Sequence, residues 1–315
     1  MVRRLVELVA VLLLSSFATF MLISLTPGDP TVAILGKDRP QEQYDELRSE
    51  LGLDEPLLTG YASWLGDAVH GDLGRSLGPG RAPVLDRIRA ALPVSLQLAG
   101  MALLLSLLVA VPLALGSAAK PGGRVDRLAT VLSYGSISSP PFLSGLVLVI
   151  LFVETWPIFP RLEWVRLTAE EGVWQNLRHA ALPTVAVAMT VFPGFLRVLR
   201  SDLIETLKQD FIAAARARGR SPWRVLLGDA LRPSAFSLLT LVGVQLGQLI
   251  GAAVVVESLF TLPGLGTVIA RAALSGDVTL VQGGVLVIAV LYVMSNALVD
   301  LSYAWLDPRV RRPAR

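Results

Sequence analysis

The sequence predicts an all-α protein that crosses a membrane about six times. Its 315 residues are 53% hydrophobic and only 17% charged, and the mean hydropathy is +0.60. Six apolar runs contain no Asp, Glu, Lys or Arg, and each can cross a hydrocarbon core that needs roughly 17–25 helical residues. The runs cover residues 8–25, 92–119, 128–153, 180–196, 233–256 and 278–299.

Two of these runs need separate justification. The first follows Arg3 and Arg4, as a signal peptide would, but it is longer than the roughly 7–15 residues of a signal core and no small-residue cleavage site follows it. We therefore expect it to remain as the first span. The fourth run is short and contains Pro183 and Pro193, which a span tolerates where neighbouring helices satisfy the freed backbone groups.

The distribution of Lys and Arg predicts the orientation. With six spans, the side that carries both termini holds 17 of these residues and the other side holds 11. The long segment 26–91 follows the charge bias poorly, and without it the second side holds 4. We therefore expect both termini and the loop 197–232 to be cytoplasmic. The polarised charge predicts no general affinity for nucleic acid.

The extracytoplasmic segment 26–91 shows helical spacing of apolar residues. Leu57, Tyr61, Trp64, Leu65 and Ala68 form one stripe, which could lie on the membrane surface or pack against the spans. The segment could cap the helix bundle or dock a partner. The chain has no cysteine, which excludes disulfides and thiolate metal sites, and its two histidines do not predict a histidine metal site.

The fifth run contains small and polar residues at helical spacing. Gly243, Gly247 and Gly251 form a smooth strip that allows close helix approach, within the chain, across a dimer or along a pathway. Gln245 and Gln248 must face protein or water, because a polar amide in hydrocarbon is costly. These two residues are our candidates for lining a passage.

The segment 213–233 carries five arginines and one aspartate, which is unusual beside apolar spans. Gly219 can end one short helix, and Ser221 with Pro222 provides an N-cap and first-turn pair for a second. An arginine-rich helical hairpin suits either a nucleic-acid reader or a projection that another protein grips. A reader needs a free recognition helix, whereas this segment is held between two spans.

Enzyme motifs have little support in the sequence. The G-x-S-x-G pattern of a nucleophile elbow occurs around Ser76, but the surrounding residues predict a turn instead of the required strand and helix. There is no H-E-x-x-H motif and no G-x-x-x-x-G-K-[ST] phosphate loop, so any ATP must bind to another chain. A membrane hydrolase remains a weaker alternative. A secondary transporter is also a weaker alternative, because the spans contain no charged residue that could couple transport to ions.

Several motifs, in order along nearly the whole chain, resemble one family. They are LTPGDP at 25–30, ELGLDEPLLTGYASWL at 50–65, HGDLGRSL at 70–77, the 210–232 loop, VVVESLFTLPGLG at 254–266 and LVDLSYAWLDPRVR at 298–311. The chain resembles the transmembrane permease subunit of bacterial ABC importers, in the dipeptide, oligopeptide and nickel group. The family's cytoplasmic E-A-A-x-x-x-G motif aligns on Ala213, Ala214, Ala215 and Gly219, with alanine in place of the motif's glutamate, and Asp229 stands where histidine is more usual.

The resemblance implies a single ABC-type transmembrane domain over residues 1–315 and a set of partners. A soluble binding protein would deliver the substrate outside, and a second permease, usually related but different, would complete the pathway. Two ATPase subunits would hold ATP and Mg, while this chain would bind no cofactor of its own. The loop would couple to the ATPase through Ala213, Ala214, Ala215, Arg216, Arg218, Gly219, Ser221 and Pro222. Arg216, Arg218 and Arg220 would contact the ATPase or anionic lipid. Peptides are the expected cargo, with nickel or another small solute as the alternative.

Overall fold

The computed structural model describes residues 2–24, 30–36, 39–50, 56–78, 80–160, 163–168 and 172–306. Motif residues 25–29, 51–55 and 307–311 lie outside this part of the chain. The described residues form helices, and the only extended pairing among them is an isolated antiparallel bridge between Arg75 and Pro83. The helices are α1 Val2–Ser24, α2 Pro30–Leu35, α3 Gln41–Glu50, α4 Leu57–Val69, α5 Val84–Ala119, α6 Arg124–Ser138, α7 Pro141–Val149, α8 Val173–Thr206, α9 Asp210–Ala217, α10 Pro222–Arg224, α11 Leu231–Ala252, α12 Val254–Leu259, α13 Leu265–Leu274 and α14 Val278–Leu306.

Among the described residues, four helical stretches are long and apolar enough to cross a membrane. They are Val84–Ala119, Val173–Thr206, Pro222–Leu249 and Val278–Leu298. The pair α6 and α7 adds a fifth if it counts as one span. The first predicted run coincides with the 23-residue helix α1, of which Val9–Met21 forms a shorter apolar stretch. The all-α membrane class is confirmed, and six stands as an approximate count.

The third predicted span is wrong as one continuous helix. The run 128–153 is divided between α6 and α7, whose axes differ by 103°. The break lies at Ser139 and Pro140, because a proline disfavours the helical conformation of the residue before it, and Ser139 is extended (φ −105°, ψ 123°). Pro141 then occupies the first turn of α7, where its missing N–H costs nothing. A π-helical turn, Ile150–Thr155, follows α7.

One compact unit contains residues up to 94 together with 263–294. Its core is a cluster of buried apolar side chains from the loop before α5, the start of α5, α13 and the start of α14. The cluster consists of Leu73, Val84, Ile88, Ala91, Leu265, Ala272 and Leu280. The stripe on α4 packs against α1: the ring of Tyr61 stands edge-on to Phe17 at 5.1 Å, and Trp64 lies 6.1 Å from Phe20. This contact favours packing of the stripe against the first predicted span.

The second compact unit contains residues 95–262 and those from 295 on. Its centre is α8, which packs against α6, α7, α11 and α12. Pro183 and Pro193 lie buried inside this helix, as do Phe195, Leu196 and Leu199. The fourth predicted run, the shortest of the six, is therefore the most enclosed part of a 34-residue helix, where packing on several sides offsets the two missing hydrogen bonds.

Candidate functional site

The predicted hairpin, residues 207–232, begins where α8 ends. After Thr206, a short turn is closed by hydrogen bonds from the amide of Lys208 to the carbonyl of Glu205 (3.1 Å) and from Gln209 to Thr206 (3.0 Å). Gln209 then serves as the extended N-cap residue of α9, and Asp210 lies in the first turn, where a negative charge stabilises the helix dipole. A tight turn thus separates the long helix α8 from the eight-residue helix α9.

Gly219 ends α9 in a Schellman turn. Its φ of +78° is the left-handed conformation that glycine adopts without a steric penalty. The amide of Gly219 bonds to the carbonyl of Arg216 (2.9 Å) and that of Arg220 to Ala215 (3.3 Å), which is the pair of bonds that defines this motif. A Cβ added at Gly219 would meet no atom within 4 Å. Glycine is therefore required by the backbone conformation and not by a close contact within the described chain.

The second short helix of the hairpin is not separate from the membrane span. Ser221 is the N-cap and Pro222 the first residue of α10, as predicted, although the Ser221 side chain makes no capping hydrogen bond. A π-helical turn, Val225–Ala230, joins α10 directly to α11, so that helical structure continues from residue 222 to 249. Pro233 has no amide N–H to donate to the carbonyl of Asp229, so one helical hydrogen bond is missing. The π-helical turn lies immediately before this missing bond.

An ion pair closes the hairpin. Nη1 of Arg220 lies 2.5 Å from Oδ1 of Asp229, which connects the turn after α9 to the π-helical turn before α11. The Arg220 side chain is half exposed, so solvent screening keeps the energy of this pair small. Its effect is geometric, because it fixes where the turn lies relative to the span.

Helix α9 has one buried face and one exposed face. Ile212 and Ala215 are buried at 0% and 2% exposure, and α9 packs against the π-helical turn that contains Val225 and Leu226. Ala213, Ala214 and Arg218 are exposed on the other side. The aligned motif residues therefore divide: Ala215 anchors the helix, whereas Ala214 and Arg218, four residues apart, share a surface that a partner can reach.

Two large apolar side chains add to the exposed surface of the projection. Phe211 is 50% exposed in α9, and Trp223 is 63% exposed in α10. Neither residue is distinguished in the sequence, where an aromatic residue beside a span is usual. Together with the arginines they give the hairpin a mixed apolar and basic surface, a composition typical of protein or membrane contacts.

The candidate pathway residues lie on α11, apart from this projection. Gly247 is buried, while Gly243 and Gly251 are half-buried, and the helix packs mainly against α8. Gln248 is exposed and Gln245 is half-buried. Both amides thus remain accessible to a partner or to water in the isolated chain, and their role in a passage stays a prediction.

Ser76, in the hydrolase-like pattern, makes a structural hydrogen bond. Its side chain is fully buried and donates to Oδ2 of Asp277 at 2.5 Å, while the amide of Leu77 donates to Oδ1 at 3.0 Å. Asp277 also accepts the amide of Leu280 (3.2 Å), as the N-cap of α14. No described histidine bonds to Ser76, and the strand of a nucleophile elbow is not formed.

The sequence reasoning missed two polar contacts. Arg200 on α8 forms a bidentate pair with Asp126 on α6, at 2.7 Å and 3.0 Å, and Asp126 also accepts the amide of Gly122. Glu257 on α12 is fully buried and accepts a 2.6 Å hydrogen bond from the side chain of Ser95. A lone carboxylate directly after an apolar run was a usable signal for Glu257, whereas no pattern connects Asp126 to Arg200 across 74 positions.

Metal chemistry has no centre in the part of the chain that the structure covers: no group of three or more His, Asp or Glu side chains there could hold an ion. The features that can carry a function are therefore the long apolar helices and the hairpin between α8 and α11, which the sequence predicts to be cytoplasmic.

Comparison with known families shows which family the chain belongs to. Residues 110–312 match the family described as the binding-protein-dependent transport system inner membrane component. Residues 1–96 match the N-terminal family of the same membrane component. The chain belongs to this family. It is an integral membrane protein and a permease component of a binding-protein-dependent transport system, as the resemblance in the sequence indicated.

Curated relatives cover almost the whole permease. A probable peptide ABC transporter permease of Sinorhizobium fredii is 32% identical over 309 residues, which is 98% of each chain. An oligopeptide transport system permease of Bacillus subtilis is 31% identical, again over 98% of each chain. A probable D,D-dipeptide transport system permease of Escherichia coli is 34% identical over 93% of this chain and 92% of its own length.

Proposed function

We propose that this permease forms part of the translocation pathway of an ATP-driven peptide importer and couples that pathway to separate ATPase subunits. The observation that carries the proposal is the folded hairpin 207–232 between two long apolar helices. A chain with no phosphate-binding loop can respond to ATP only through a partner, and a rigid projection transmits the partner's movement to the spans. The peptide names of the full-length relatives support peptide cargo.

The exposed face of α9 is the proposed contact with the ATPase. Ala214 and Arg218 lie outward, and Phe211 supplies an apolar side chain that a groove can bury. The Schellman turn at Gly219 and the Arg220–Asp229 pair hold this face in a fixed position. Because Ile212 and Ala215 anchor α9 to the π-helical turn that continues into α11, a push on α9 is transmitted to that helix.

The proposed assembly contains a second, related permease, two ATPases that bind ATP and Mg, and an extracytoplasmic binding protein. This chain itself carries out no catalysis and holds no cofactor. Gln245 and Gln248 line the proposed passage, with the glycine strip of α11 allowing a neighbouring helix to approach. The lipid bilayer of the bacterial plasma membrane surrounds the spans, and both termini lie in the cytoplasm.

Reconstitution tests the function directly. The complex is placed in liposomes with its binding protein outside and ATP inside, and uptake of a labelled peptide is measured. We expect uptake that requires both ATP and the binding protein and that persists when ion gradients are abolished. Uptake that follows an ion gradient without ATP would contradict the proposal and favour a secondary transporter.

Orientation is tested by labelling single cysteines, since the native chain has none. Gln43→Cys and Arg218→Cys are both at exposed positions. An impermeant maleimide should label the first in intact cells and the second only after permeabilisation. The reverse pattern would place the hairpin outside and exclude contact with a cytoplasmic ATPase.

A further inference from the structure

A cleft of about 420 Å³ lies beside the hairpin, within the range of about 300–1,000 Å³ that is usual for small-ligand sites. Its walls come from the end of α5 at Ala119, the end of α8 at Ile204, and the hairpin at Trp223 and Leu226. Most of the lining is apolar. Both α5 and α8 are long and apolar enough to cross a membrane, so the cleft lies beside the ends of two candidate spans.

Two cations, and no carboxylate, line this cleft. They are Lys208, in the turn after α8, and Arg216, in the last turn of α9. Neither side chain forms an ion pair with another described residue, unlike Arg200 and Arg220 nearby. The cleft therefore combines a mostly apolar lining with two positive charges that pair with no described carboxylate, which is complementary to an anion that carries a hydrocarbon tail.

The position of Arg216 separates this cleft from the proposed ATPase contact. Arg216 follows Ile212 by four residues and so lies next to the buried side of α9. Ala214 and Arg218 lie around the helix on the exposed side. The same short helix thus presents one surface outward and one toward the ends of the spans.

We propose that this cleft binds an anionic phospholipid, with the phosphate between Lys208 and Arg216 and the acyl chains along the ends of α5 and α8. Basic pockets between membrane helices on the cytoplasmic side bind such headgroups, and clustered Lys and Arg supply the attraction. Trp223, 63% exposed beside the cleft, suits the headgroup layer, where an amphipathic ring lies between apolar chains and water. A bound lipid would fill the space between the hairpin and the spans that it moves.

This inference rests on the proposed cytoplasmic placement of the hairpin. An acidic segment of the ATPase is the competing occupant. The lipid is favoured because the cleft opens at the ends of two spans, where lipid is always present, and because most of its lining is apolar.

Native mass spectrometry of the purified full-length chain, with the permease that co-purifies with it, tests the proposal. Phosphatidylglycerol or phosphatidylcholine is titrated into the detergent solution and bound lipid is counted. We expect saturable binding of phosphatidylglycerol and much weaker binding of phosphatidylcholine. In the double variant Lys208→Gln with Arg216→Gln, the affinity for phosphatidylglycerol should fall roughly twenty-five-fold, since each cation near an anionic lipid contributes about fivefold.

A matched control removes the same charge elsewhere. Arg124 and Arg127 are exposed on α6 and do not line the cleft, so Arg124→Gln with Arg127→Gln should leave the affinity within about twofold. Lys208→Arg with Arg216→Lys keeps both charges and should also bind normally. An equal loss of affinity in the two double Gln variants would overturn the proposed site. Equal binding of phosphatidylglycerol and phosphatidylcholine would also overturn it.

Addition of the ATPases distinguishes the two occupants. Lipid binding that persists in the assembled complex supports the proposal, whereas lipid that is expelled on assembly would show that the ATPase occupies the cleft. The assay needs neither transport nor hydrolysis. Absent lipid binding in a complex that still imports peptide with ATP would therefore refute this inference alone, while a lipid-binding chain that assembles with no ATPase would refute the proposed function.

Discussion

Ser76 connects two loop segments that are 201 residues apart, and its substitution should act on stability. In Ser76→Ala, Oδ2 of the buried Asp277 loses its hydroxyl donor, which costs about 1–3 kcal/mol. Thermal unfolding of the purified protein should therefore begin at a lower temperature. Ser275→Ala is the control, because Ser275 is exposed and bonds only within its own helix turn, to Ala272.

Two results would contradict this interpretation of Ser76. An unchanged unfolding temperature would show that the hydrogen bond contributes nothing. Covalent labelling of Ser76 by a fluorophosphonate probe would indicate an activated nucleophile, although neither described histidine bonds to Ser76 to act as its base.

Gly219 is the residue whose replacement should separate coupling from folding. Its φ of +78° costs a β-branched residue about 1–2 kcal/mol, so Gly219→Val should distort the Schellman turn and reduce substrate-stimulated ATP hydrolysis in the assembled complex. Membrane insertion should remain normal, because the turn lies outside the apolar helices. Gly219→Asn is the matched control, since asparagine tolerates the left-handed conformation and the space beside Gly219 is open. Equal activity of the Val variant and the wild type would show that the turn has no part in coupling.

Single residues were predictable where the local sequence determines the backbone. A glycine between Arg218 and Arg220, followed by Ser221 and Pro222, predicts a helix end and a helix start, and both are present. The contacts of Glu257 with Ser95 and of Asp126 with Arg200 could not be derived in this way. Their partners come from distant parts of the chain, and one sequence contains no record of which helices meet.

At the scale of elements, apolar runs predict helices well and their geometry poorly. The run 128–153 contains no charge, and hydropathy alone therefore reads it as one span. The signal for its 103° bend is the pair Pro140 and Pro141, which forces Ser139 out of the helical conformation. Likewise, the second helix of the hairpin merges with α11 because nothing after Arg224 terminates it.

Close packing of helices gives an element-scale prediction. A Cβ at Gly284 on α14 would lie 2.5 Å from Cγ1 of Ile269 on α13, a contact that requires the Ile269 side chain or one of the two helices to shift. Gly284→Ala should therefore destabilise the protein by about 1–3 kcal/mol, measured by thermal unfolding. In Gly135→Ala the new methyl group meets no atom within 4 Å, so that variant should unfold at or above the wild-type temperature. Equal temperatures for the two variants would contradict the packing of α13 on α14.

At the scale of the whole molecule, composition and charge asymmetry predict a membrane protein and its orientation, and the motifs predict its family. Both the membrane class and the family are confirmed. The passage could not be predicted, because two permeases are expected to share it and Gln245 and Gln248 lie on only one of them. The folded hairpin is instead complete within this chain, which makes it the part of the proposed mechanism that one sequence can specify.

Cross-linking to the ATPase tests the central claim most directly. In the assembled complex, a photoreactive cross-linker on Ala214→Cys or Arg218→Cys should capture the ATPase, with a yield that changes when ATP is added. The same cross-linker on Gln43→Cys, at the surface of α3, should capture no ATPase. ATPase capture from residue 43, or its absence from both 214 and 218, would contradict the assignment of this hairpin as the coupling segment.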